Sequence, residues 1–172
     1  LHPETIALGS YSNVMIYDRY NYNHRLGFPS LTINELKDKP EKDWEAFNHF
    51  SWVYFLFPNI TFFVNSAFVY LFELYPGKEV GEHLTRFSTY SRFEMKTEEE
   101  KDAAQEHFQF IYSVVENEDY WVSANVMKGF RSGLHPYSVF GRNELSLIHM
   151  HEAFRESVGL DPSGVRLKRS RK

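Results

Sequence analysis

The chain contains no cysteine, which removes disulfides, thiolate metal ligands and cysteine nucleophiles together. It also lacks an apolar run of the roughly 18 residues that a membrane-spanning helix needs. The best candidate, Trp52 to Leu74, is broken by Pro58-Asn59 and again by Asn65-Ser66. No signal-peptide pattern is visible, so a cytoplasmic location and no membrane partner are expected. A formal net charge of -4 gives no nucleic-acid footprint. Positive charge gathers only in the run RLKRSRK, Arg166 to Lys172, which reads as a solvated tail.

Aromatic rings, by contrast, are abundant: sixteen Phe, eleven Tyr and three Trp in 172 residues. They suit sheet surfaces and a ring-lined pocket as well as an ordinary core. NVMIYDRYNY, Asn13 to Tyr22, alternates well enough to be a strand, and GFPS, Gly27 to Ser30, ends that region. A polar stretch divided by Pro40 follows. SWVYFLF, Ser51 to Phe57, reads as a strand, Pro58-Asn59 as a turn, and ITFFVNSAFVYLFELYP as one or two strands more. After Pro76-Gly77-Lys78, the segment EHLTRFSTYSRF alternates Leu84, Arg86, Ser88 and Tyr90 against Thr85, Phe87, Thr89 and Phe93, the pattern of an antiparallel strand covered on one face.

The pattern then becomes helical. Thr97 followed by Glu98, Glu99 and Glu100 is a capping box, with acidic residues in the first turn. A long helix is expected from there to Phe130, with Gly133 beyond its end, and a second helix from Glu144 to Val158. Strands first and helices afterwards give an α+β fold: an antiparallel curved sheet with a long C-terminal helix packed across it, in the helix-grip arrangement of START/Bet v1-like domains.

One position breaks the helical stripe. Phe108, Ile111, Val115, Val122 and Val126 are spaced to face a core, and Asp119 stands among them. Burying an ionised carboxylate without a partner costs several kcal/mol. Three partners remain open: an arginine from the sheet, such as Arg86 or Arg92; a position at the edge of the stripe, with Glu118 inward or outward instead; or a divalent cation whose shell imidazoles complete. His107 lies about three turns away on the same helix and cannot share the site. His149 and His151, in IHMH, diverge on a helix.

ENEDYWVSANVMKGFRSG, Glu116 to Gly133, and FGRNELSLIHMHEAFRESVGL, Phe140 to Leu160, resemble the C-terminal catalytic domain of Rieske-type non-haem iron oxygenase large (alpha) subunits. FLFPNITFF, Phe55 to Phe63, extends the resemblance. It implies a mononuclear Fe(II) on a facial triad of two histidines and one carboxylate. Asp119 matches the carboxylate, and His2, in the opening LHPET, matches the second histidine of a His-x4-His segment. The first would fall before Leu1.

Met127 stands where the family carries a glutamine, and the Rieske domain with its [2Fe-2S] cluster has no counterpart here. The expectation is therefore a partial oxygenase catalytic domain over residues 1–160 with a basic tail over 161–172, inactive on its own. The resemblance further implies a small organic substrate and O2, electrons from a reductase or ferredoxin, and a homotrimer for the full-length protein. The reaction would be hydroxylation, dihydroxylation or demethylation. Tyr20, Tyr22, His24, Phe62, Phe63, Phe68 and Tyr70 are the candidate pocket residues. The competing readings are a non-catalytic helix-grip domain that encloses an apolar ligand, without metal, and a small interaction subunit like the oxygenase beta partners.

Overall fold

The computed structural model describes residues 15–134 and 137–164. Six strands form one antiparallel sheet in sequence order: β1 (Ile16–Tyr20), β2 (Asn23–Pro29), β3 (Phe50–Leu56), β4 (Ile60–Val64), β5 (Phe68–Pro76) and β6 (His83–Ser91). Each strand pairs with its sequence neighbour, so most connections are tight turns. The exception is the link from β2 to β3, where three short 3-10 turns occupy the polar stretch around Pro40. Pro58-Asn59 and Asn65-Ser66 separate β3, β4 and β5, and the Asn65 side chain closes its turn by accepting from the Ala67 and Phe68 amides.

The beginning of the sheet differs from the single strand expected over residues 13–22. β1 stops at Tyr20, Asn21 turns the chain with φ of 52°, and Gly27 to Pro29 lie inside β2 rather than ending it. Asparagine tolerates that left-handed conformation better than most residues, but without an adjacent glycine it leaves a weak turn signal in sequence. Residues 13 and 14 fall outside the described part.

The capping box forms as expected. Thr97 Oγ1 accepts from the Glu100 amide at 3.1 Å, and the Glu100 carboxylate accepts from the Thr97 amide at 3.0 Å. The long helix then runs as α1 (Glu98–Val114), a π-helical turn (Val115–Tyr120) and α2 (Trp121–Arg131), and Gly133 lies beyond it with φ of 69°. α3 (Leu145–Ser157) follows.

Antiparallel partners project to the same side of a sheet, so the register defines its faces. His24, Phe55, Thr61, Phe72 and Phe87 form one row across β2 to β6, and Leu26, Val53, Phe63, Tyr70 and Thr89 form another on the same face. The helices cover this face at its two sides. α1 docks on β5 and β6 through rings: Phe108 stacks on Phe87 at 5.2 Å, and Phe87 on Phe72 at 4.6 Å. α3 docks on β1 and β2, where Arg19 pairs with Glu152 at 3.3 Å.

The opposite face centres on Trp52. This buried ring lies between Phe47 and Phe50, beneath the Arg25 guanidinium at 4.7 Å, and its indole N–H donates to the Phe47 carbonyl at 3.1 Å. Gly27 is the paired residue, and a Cβ there would stand 2.6 Å from the Trp52 ring. Gly27→Ala is therefore expected to destabilise the domain by about 1–3 kcal/mol through overpacking. A lower urea midpoint at unchanged slope would report this, and an unchanged midpoint would mean that the indole moves aside without cost.

Candidate functional site

The π turn dictates where Asp119 stands. An extra residue per turn breaks the 3.6-residue period from which the stripe is drawn, and such turns recur at functional sites. Beyond Val115 the helical-wheel positions no longer hold: Asp119 is exposed and Glu118 half-buried. The carboxylate therefore avoids the desolvation cost that a core position would impose. Around it, Tyr120 meets His83 edge-on at 5.5 Å, and Met127 packs against Gly81, where a Cβ would come within 2.7 Å of its sulfur. Arg131 donates to the Val80 carbonyl at 3.3 Å. These contacts hold the helix to the projecting β5–β6 hairpin on both sides of the turn that bears Asp119.

His2, the matching histidine, lies outside the described residues, as do Arg166 to Lys172. Among the described residues no three His, Asp or Glu side chains are grouped so that they could hold a metal ion. Any metal bound through Asp119 must therefore draw on donors beyond that set. A carboxylate with imidazoles is a donor set that suits Fe(II), so Asp119 and His2 fit the group in kind.

The candidate pocket residues divide between the two faces of the sheet. His24, Phe63 and Tyr70 occupy the helix-bearing face by register, and Phe68 joins them by stacking on His107 of α1 at 4.8 Å. Phe63 is still 38% exposed, because it lies between the parts covered by α1 and α3. Tyr22 packs on Phe57 at 5.2 Å, and Phe57 on Phe154 of α3 at 5.0 Å. Phe62 lies on the opposite face, stacked on Tyr54 at 4.6 Å, and Tyr20 is exposed at the end of β1. The alternation of β4 separates Phe62 from Phe63, since successive side chains point to opposite sides.

Two histidines meet where α3 crosses β2. His24 and His149 are both buried, with ring centroids 5.4 Å apart, and His24 also stacks on Phe55 at 5.0 Å. His149 Nε2 donates to the Asn21 carbonyl at 2.7 Å and so ties α3 to the first hairpin. Neither Nδ1 has a partner. Burial, with the neighbouring His149 adding to it, lowers the His24 pKa to about 4. Burial likewise lowers that of His149, against the opposing effect of the Asn21 carbonyl. Sequence reasoning treated His149 only as a metal ligand and missed its packing role. Ile148, His149 and Ala153, buried on one face of α3, are the signal that could have revealed it.

Both imidazoles are held neutral in the fold, whereas in the unfolded chain each takes up a proton below about pH 6.5. The stability they allow is thus present at neutral pH and is lost as pH falls from 6.5 toward 4. His24 alone accounts for up to about 3 kcal/mol of that loss. Urea midpoints followed from pH 7.5 down to about 4.5 should fall, and His24→Phe should flatten the curve. An identical pH profile in the variant would show that other groups carry the acid sensitivity.

A family model described as "Ring hydroxylating alpha subunit (catalytic domain)" matches residues 1–159. No curated protein and no solved structure matches the chain. The match takes in the whole sheet, the π turn with Asp119 and nearly all of α3. It is too extensive to arise from a shared helix-over-sheet layout alone, and the chain belongs to the ring-hydroxylating oxygenase alpha-subunit family, within its catalytic domain.

Proposed function

We propose that this domain holds mononuclear Fe(II) through Asp119 and His2, a further imidazole completing the triad, and acts with O2 on a small organic substrate. The family match, which spans both residues, supports this reading. The observation that carries it is the π turn: it sets one carboxylate at the rim of the covered face, with the helix anchored on either side. When bound, Fe(II) supplies the activation of dioxygen needed for hydroxylation, dihydroxylation or oxidative demethylation.

The chain's own residues supply position and shelter. The strip of sheet between α1 and α3, with Phe63 and Val53 side by side on β4 and β3, offers an apolar floor for substrate. His24, Tyr22, Phe68 and Tyr70 flank it beneath and beside the helices. A ring-lined surface of this kind excludes water from an oxidising centre and leaves selectivity to shape. Asp119 stays ionised in its exposed position and is available as a ligand without prior proton loss.

Domain limits of 1–160 with a basic tail, a homotrimeric assembly, and electrons delivered from a reductase or ferredoxin through a [2Fe-2S] Rieske cluster belong to the same proposal. So does a cytoplasmic location. Among the described residues no helix is long and apolar enough to cross a membrane.

Anaerobic titration of the chain with Fe(II) tests the reading. Losing a residue that merely supports a metal ligand costs about 10–100-fold in affinity, so Asp119→Ala should weaken uptake by at least roughly tenfold. Equal, weak uptake by the wild type and the variant would sink the proposal and favour a metal-free binding domain.

A further inference from the structure

At the start of α1, far from Asp119, the helix does not seal against the sheet. Two adjoining hollows of about 360 and 430 Å³ open there, sharing Phe68, Ser91, Met95 and Ala104 in their walls. Together they form a groove between the first turns of α1 and the β5–β6 pair. Ala104 precedes Asp119 by roughly 20 Å along the helix axis. The groove is therefore separate from the residues assigned above to the iron.

Its lining has the character of a ligand site. Phe68 and Phe108 present rings, and Met95 presents an adaptable apolar side chain. Thr89 brings a buried hydroxyl with no hydrogen-bond partner into the wall. A buried hydroxyl left unpaired is costly, and natural structures keep few of them without a role.

A second polar atom is fixed by a hydrogen-bond relay. Asn65 Nδ2 donates to Tyr70 Oη at 3.4 Å, which leaves the Tyr70 proton for His107 Nε2 at 2.5 Å. Burial raises the Tyr70 pKa, so that proton stays on the phenol. The neutral imidazole of His107 then carries its own proton on Nδ1, where it can donate into the groove that His107 lines.

The charges at the mouth do not select an ion. Glu100 is engaged by the Lys96 and Thr97 amides, and Lys101 by Glu98 at 2.6 Å. Ring walls, one unpaired hydroxyl and one imidazole donor match a neutral aromatic compound of one or two rings that carries a hydroxyl group. We propose that this groove is a second binding site for such a hydroxylated aromatic. The inference stands independently of the iron reading.

The test titrates 2-naphthol into the chain and follows the methyl signals of Met95 and Ala104 by NMR. Saturable shifts at both methyls are expected in the wild type. Thr89→Val keeps the side-chain shape and removes the hydroxyl, and it should weaken binding by about fivefold. Ala104→Trp fills the groove and should abolish the Met95 shifts, while Asp119→Ala should leave them unchanged. Absence of shifts in the wild type would overturn the proposal, as would full affinity in both Thr89→Val and Ala104→Trp. Binding lost in Asp119→Ala but kept in Ala104→Trp would place the ligand at the other end of the helix and equally overturn it.

Discussion

The column of rings Phe72, Phe87 and Phe108 is the contact on which the rest of this structure depends. A sheet with one apolar face must bury it, and here the covering element is a helix with no fully buried residue from Glu98 to Arg131. Its docking relies on a few large rings, because each aromatic buries far more area than an aliphatic side chain and offset stacking adds about 0.5–1.5 kcal/mol. Phe108 sets both the height and the direction of α1 over β6. The direction decides where the helix stands several turns later, when it reaches Asp119.

A cover built this way is discontinuous. α1 and α2 follow β6 out along its hairpin, while α3 follows β1 and β2, held by the pairs His149 with Asn21 and Arg19 with Glu152. Between them β3 and β4 keep a strip open, and Phe63 is exposed there although its register neighbour Tyr70 is buried. An open strip would be a flaw in a purely structural domain. In an oxygenase it is where a substrate reaches the face over which the carboxylate is held.

Much of this was legible in sequence. Thr97 and Glu100 announced the start of the helix, Pro58-Asn59 and Asn65-Ser66 divided the strands, and alternation around Phe87 identified the inner face of β6. These signals are local, and the physics behind them acts within a few residues. The first hairpin was missed because Asn21 adopts its turn conformation without the glycine that usually marks one. The His24–His149 contact joins residues remote in sequence, so no periodicity within one segment could show it. The division of Phe62 from Phe63 followed from alternation alone and was available from the start.

Asp119 illustrates how a correct residue can be found through an incorrect environment. The helical stripe singled it out as a carboxylate in need of a partner, on the assumption of an unbroken α-helix. The π turn removes that assumption, and with it the energetic problem, since the residue is exposed. A carboxylate buried in an apolar stripe would be driven toward its neutral form, and a protonated acid is a poor ligand. A carboxylate at the rim remains charged and still sits on a rigid helix. The local widening of the helix thus reconciles two demands that a regular one sets against each other: an apolar face to dock the helix, and an ionised oxygen at the edge of that same face.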